Sequence, residues 1–226
     1  MDNYQWNRID KPTSGFQGNF TTEKLAQGKN ILISISKSGH NYVARKKDNE
    51  GWSKQNTGFS GTYNAITYGD GKFVIVGSDN YDGENGHPLF ISSEDGVKWT
   101  RGEIVTSGTG YTLYDVIWTG EKFVAIGGAN TIYSSSDGNR WYRYPRENII
   151  HNKGAKYYYD FKNISSNGDY IIAYSEKGNA VLISKDGGKN WIQRQDSNYL
   201  KLIDIIVINK GDGIIDPKNL NVRWYR

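Results

Sequence analysis

Three acidic residues, Asp115, Asp160 and Asp204, each stand just ahead of a short apolar run. Two such carboxylates held ~5–9.5 Å apart across a pocket would suffice for glycoside hydrolysis, one as acid and the other as nucleophile or base. The same residue type at the entry to a strand also serves a plainer end, accepting backbone N–H bonds. Among 24 acidic residues both uses are open. The three histidines, His40, His87 and His151, are far apart in the chain and give no ground for a metal centre or a catalytic triad. There is no cysteine, so thiolate nucleophiles, disulfides and thiolate-bound zinc are excluded. An insert from Ser78 to His87 gathers Asp79, Asp82 and Glu84, the hard oxygen ligands that calcium takes. Its spacing departs from the D-x-D-x-D-G pattern, and a solvated loop with no metal or cofactor is the expectation.

A second segment, Pro145 to Asp160, carries His151, Lys153 and Lys156 and then Tyr157, Tyr158 and Tyr159. Tyrosine brings an amphipathic ring at low entropic cost and suits sugars and protein partners alike. Strand alternation would put Tyr157 and Tyr159 on one face and Tyr158 on the other, with two of the three packing inward as the plainer alternative. Tyr157, Tyr158, Tyr159, Asp82, Glu84 and His87 are therefore the candidate partner contacts, and no residue is assigned a catalytic role. Tyr111 and Tyr114 are further candidates, whereas Trp118 is expected in the core.

These residues need a scaffold, and the chain repeats itself. Phe90–Trp99, Ile132–Trp141 and Leu182–Trp191 share one pattern: an apolar run, Ser-x-Asp with Gly, then Trp. Ahead of each lies an apolar strand, a Gly-containing hairpin turn and a second apolar strand, as in Ala65–Gly77, Val116–Gly127 and Ile164–Tyr174. Weaker copies occupy Leu25–Ile33 and Ile206–Ile215. Trp6, Trp52, Trp99, Trp141 and Trp191 recur at intervals of about 40–50 residues, and the interval is kept when counting from Trp191 past the chain end to Trp6. That arithmetic predicts an all-β, five-bladed β-propeller forming a single domain over residues 1–226. Its blades would span approximately 20–61, 62–110, 111–158 and 159–198. The fifth would join 199–226 to 1–10, closed by the N-terminal strand around Tyr4–Arg8, so that no sheet edge is left open. An open four-blade array whose terminal strands pair with another chain is the alternative.

The motif residues resemble the Asp-box, or BNR, repeat of β-propellers. Ser184-x-Asp186-x-Gly188-x-x-Trp191 follows it, and Ser93-x-Asp95-Gly96-x-x-Trp99 and Ser135-x-Asp137-Gly138-x-x-Trp141 follow it with one residue fewer. Asp48, Gly51 and Trp52 form a degenerate copy. The resemblance implies that these residues are scaffold: the carboxylate caps its own turn, Gly supplies positive φ, and Trp packs between blades. Sialidases, the best-known enzymes with such boxes, add an arginine cluster, a Tyr/Glu pair and a sixth blade. The arginines here mostly flank the Trp positions of outer strands instead.

Net charge is +4, with the basic residues scattered apart from Arg45-Lys46-Lys47, which argues against nucleic acid as a partner. No apolar run is long enough for a membrane helix, and Met1–Trp6 lacks a secretory pattern, so synthesis in a cytoplasm without membrane insertion is expected. Stand-alone Asp-box chains of this kind are common in phage and prophage tail regions. The resemblance implies a non-catalytic binding or structural propeller in a virion or tail-like particle. Its partners would be other particle proteins, at a baseplate or fibre, or a host-surface glycan. A soluble carbohydrate-binding lectin and a small glycoside hydrolase are the alternatives.

Overall fold

A computed structural model describes residues 22–36, 41–79, 86–106, 110–151, 158–175 and 180–195. Within them the regular structure is β-strand apart from two single 3-10 turns, and four sheets follow one another along the chain. The first consists of β1 (Lys24–Gly28), β2 (Ile31–Ile35), β3 (Tyr42–Lys47) and β4 (Ser53–Asn56). The second has β5 (Thr62–Gly69), β6 (Lys72–Ser78), β7 (Pro88–Ser93) and β8 (Thr100–Arg101). Two residues, β9 (Glu103–Ile104), intervene before the third sheet: β10 (Leu113–Trp118), β11 (Phe123–Gly127), β12 (Ile132–Ser135) and β13 (Arg140–Arg143). After β14 (Ile150–His151) come β15 (Asn163–Ser166), β16 (Ile171–Ser175), β17 (Ala180–Ser184) and β18 (Ile192–Gln195).

Each sheet is an antiparallel meander, and the first strands pack in series: β1 on β5, β5 on β10, β10 on β15. The predicted fifth blade, built from residues 199–226 and 1–10, lies outside the described residues. No helix of the described residues is long and apolar enough to cross a membrane.

The pleat explains why successive sheets stack. Along β6, Phe73 and Ile75 enter the seam with the first sheet, while Val74 and Val76 enter the seam with the third. Along β11, Phe123 and Ala125 face the second sheet, and Val124 and Ile126 face the fourth. A central strand apolar at every position therefore feeds two cores at once, as a sheet buried on both faces requires. Trp99, Trp141 and Trp191 each join the seam with the preceding sheet.

Those tryptophans are placed by the Ser-x-Asp turns between the third and fourth strands. In the third sheet the Asp137 carboxylate accepts from the Asn139 and Arg140 N–H groups and from the Ser135 hydroxyl, at 2.8, 2.8 and 3.0 Å. Gly138 N–H donates to the Ser135 hydroxyl at 2.9 Å, and the Trp141 indole N–H donates to the Gly138 carbonyl at 3.1 Å. Asp95 and Asp186 repeat the arrangement. Gly96, Gly138 and Gly188 all have positive φ, at 71°, 72° and 84°. Partial burial alone would raise these carboxyls, but the donors outweigh it. Asp95 and Asp137 sit below the ordinary value, and Asp186 falls to about 2.

The linkers between sheets do something a simple period count does not anticipate. β9 leaves the second sheet and runs parallel to β13, covering the outer edge of the third. β14 does the same for β18 in the fourth. Each linker thus ties two sheets together and satisfies an edge that would otherwise be open.

Candidate functional site

The Ser-x-Asp turns occupy one end of the strands. The second-to-third-strand connections and the crossings between sheets occupy the other, and a cleft of about 640 Å³ opens there between the third and fourth sheets. Arg143, Arg146, His151 and Tyr158 are among its walls. Arg143 ends β13, where its backbone N–H donates to the Thr106 hydroxyl at 2.8 Å. The extended run from β9 therefore sets the depth of one wall. Arg146 follows Pro145 in a single 3-10 turn, and its Nη2 donates to the Thr131 hydroxyl at 3.1 Å. Its guanidinium lies 4.9 Å from the ring centre of Tyr111 and 5.5 Å from that of Tyr158, a cation held between two aromatic faces.

Thr131, which holds Arg146, follows a strained turn. Ala129 and Asn130 both have positive φ, at 50° and 58°, conformations that non-glycine residues adopt at a cost. Two side chains hold them there. Asp160 accepts from Ala129 N–H at 2.9 Å. The buried Asn130 amide accepts from Tyr159 N–H and donates to the Gln193 side chain, both at 2.7 Å. Residues 159–160 are thus pinned to the third sheet, and Tyr158 just before them lines the cleft.

The tyrosines separate accordingly. Tyr158 is 63% exposed and faces Arg146, whereas Tyr159 is half-buried against the seam of the third and fourth sheets. Tyr157 lies outside the described residues, as do Asp82, Glu84 and Asp204. His87 is exposed beside Asp79, which also accepts from Arg101 at 3.3 Å, and none of these lines the cleft. Trp118 packs tilted on Phe123 at 4.6 Å, with Gly69 of the preceding sheet leaving room for its ring.

Asp115 sits elsewhere, on the innermost strand of the third sheet. It accepts from the Ile164 N–H of the fourth sheet at 3.1 Å and from Lys24 of the first at 3.5 Å, bridging three sheets. Burial raises its carboxyl, and Lys24 and the Ile164 N–H only partly offset that. A raised acid contributes stability that is full below its unfolded value and is lost as pH rises through the folded one. Relative to Asp115→Asn, the wild type is therefore expected to gain melting temperature as pH falls from about 7 to about 4. Thermal melts of both proteins across that range check it. The opposite slope would mean that the Lys24 pair governs the site.

Tyr133, Arg143 and Arg146 carry no weight in a reading built on repeats. One signal was available: the run Arg140-Trp-Tyr-Arg143-Tyr-Pro-Arg146 concentrates three arginines and three aromatics within seven residues.

No family model matches the chain, and no curated protein matches it. Solved structures do. YCF48 from Cyanidioschyzon merolae superposes with a TM-score of 0.56 at 15% identity, over 79% of this chain and 59% of that one. YCF48 bound to D1 peptide gives 0.52 at 14%, over 78% and 56%. YjhT gives 0.54 at 12%, over 80% and 66%, and a GH74 xyloglucanase from Xanthomonas campestris 0.52 at 12%, over 74% and 28%. The fold is that of a β-propeller. At these identities the likeness extends to the fold alone. The propeller described here spans less than two thirds of the length of each of these structures.

Proposed function

We propose that this propeller is a non-catalytic binding module that holds a partner on the face remote from its Ser-x-Asp turns, in the setting of a phage tail or tail-like particle. The observation that carries the reading is the cleft at Arg143–Tyr158: cationic and aromatic, rigidly framed and open to solvent. The candidate acids support it as well. Asp115 and Asp160 are each committed to backbone N–H groups that hold neighbouring sheets in register, the use of a structural rather than a reacting carboxylate. Among the structural neighbours, one was solved with a peptide bound and another is a glycoside hydrolase, so the fold accommodates both kinds of work. The particle setting rests on the resemblance of the repeats to Asp-box chains of phage tail regions.

Fractionation of tail particles from a producing strain, with quantitative mass spectrometry, tests this. The chain is expected in the particle fraction at a fixed ratio to baseplate or fibre proteins. Its absence there, together with turnover of a glycoside panel abolished by Asp115→Asn or Asp160→Asn, would overturn the reading in favour of a hydrolase.

A further inference from the structure

Three side chains that line the cleft carry a buried polar atom without a hydrogen-bond partner: Nε of Arg143, Nε of Arg146 and Nδ1 of His151, and the likewise unpartnered Tyr133 hydroxyl lies behind them within the fields of both arginines. Unsatisfied buried donors are expensive, and a native fold rarely collects several in one place without a use for them. Tyr133 is fully buried and lies directly opposite Arg143 in the β12–β13 pairing, so the two side chains share a face. Its hydroxyl points to Gly110, where a Cβ would come within 2.8 Å. Burial raises Tyr133 while the positive fields of Arg143 and Arg146 pull the other way, and the phenol stays protonated, a donor. Neither arginine makes an ion pair with a described carboxylate.

The two guanidinium Nε–H groups can only donate, and the phenol is free to do the same. The missing partner must therefore be rich in acceptors and negatively charged. A planar carboxylate matches the guanidinium fork. Glu147 on the rim weighs against a dianion such as phosphate. Resting on the binding reading above, and narrowing it, we propose that this cleft binds the carboxylate of a peptide, with an apolar side chain beside it. The ring faces of Tyr111 and Tyr158 are turned to Arg146, so the surface on which a sugar would stack is already shared with a cation. Next in sequence to Thr106 and His151 of the lining come the exposed aliphatic residues Val105 and Ile150, which suit a peptide better. An acidic sugar is the competing occupant.

The test is an array of hexapeptides in which aliphatic residues surround one Asp or Glu or precede a free C-terminus. Each is printed beside its Asn, Gln or amide counterpart and probed with the whole chain. Carboxylate members should retain the protein about tenfold more strongly than their neutral counterparts, the loss expected for one charged hydrogen-bonded pair. N-acetyl-leucine should compete for them and N-acetyl-leucinamide should not, a measurement on the wild type that needs no variant to fold. Arg146→Gln should weaken retention by about tenfold, and Tyr133→Phe by a smaller factor, with melting temperatures close to wild type. Equal retention of acid and neutral members, or no retention at all, would overturn the site. Capture by glucuronate or sialate on a parallel glycan array, without capture by the peptides, would overturn the peptide assignment in favour of an acidic sugar. Particle association that survives Arg146→Gln while the array stays blank would sink this inference and leave the docking reading standing.

Discussion

Trp141→Ala is expected to lower the unfolding free energy by about 3–5 kcal/mol, the range for removing a large aromatic from a core that cannot collapse around the gap. Trp141 is fully buried in the seam between the second and third sheets. It stacks on Phe90 at 4.2 Å with a 19° interplanar angle and lies 6.4 Å from Phe123. Its indole N–H donates to Gly138, so the substitution also orphans that carbonyl. On the edge of β13, its own carbonyl accepts from Val105 N–H at 2.9 Å, which holds the extension of β9 in place. Because Trp141 and Arg143 lie two residues apart on one strand, they share a face, and loosening the seam should disturb the cleft as well. For a domain of this size the melting temperature should drop by on the order of 10 °C. Urea and thermal unfolding check this. Tyr142→Ala, at an exposed position on the same strand, is the control and should stay within about 0.5 kcal/mol. A loss under about 1 kcal/mol for Trp141→Ala would mean that the seam repacks without it.

Gly77→Ala should be the more damaging of two single-methyl insertions, at about 3 kcal/mol or more. A Cβ at Gly77 would lie 1.8 Å from the Thr62 carbonyl oxygen, which is backbone and cannot swing aside. The crowding arises from a bulge in β5, where the pairing with β6 shifts register between Tyr63 and Ala65. The third sheet repeats the device: β10 shifts between Leu113 and Asp115, and a Cβ at Gly127 would come 2.3 Å from the Thr112 carbonyl oxygen. Both bulges turn the innermost strand as it enters its sheet, which is where sheets are commonly re-aimed. Gly51→Ala is the control, since nothing lies within 4 Å of its added methyl, and it should change stability by less than about 0.5 kcal/mol. Equal stability of the two variants would show that the bulge relaxes at no cost.

The strands of the second to fourth sheets were legible because each central strand carries an unbroken apolar run between Gly- or Asn-containing turns, as in Phe73–Gly77 and Phe123–Gly127. The Ser-x-Asp turns were legible for a related reason: their bonds are local, closing within four residues. The linkers were not. β9 and β14 are two residues each, too short for any alternation to register, and they exist because an edge thirty or more residues away accepts them. Of the candidate contacts, Tyr158 reaches the cleft while Tyr159 is drawn inward by Asn130, a partner nearly thirty residues earlier whose own conformation is unfavourable in isolation.

The amino-acid sequence by itself determined that this is a chain of repeated four-stranded units with capped Ser-x-Asp turns, because those choices rest on alternation and on bonds between near neighbours. Tertiary structure alone decided where a partner would be held. Tyr133, Arg143, Arg146 and His151 meet only after β12, β13 and the linker to the fourth sheet have been folded against one another. Their importance lies in donors left unpaired by that packing, and unpaired burial is a property of the assembled fold that no single segment of the chain displays.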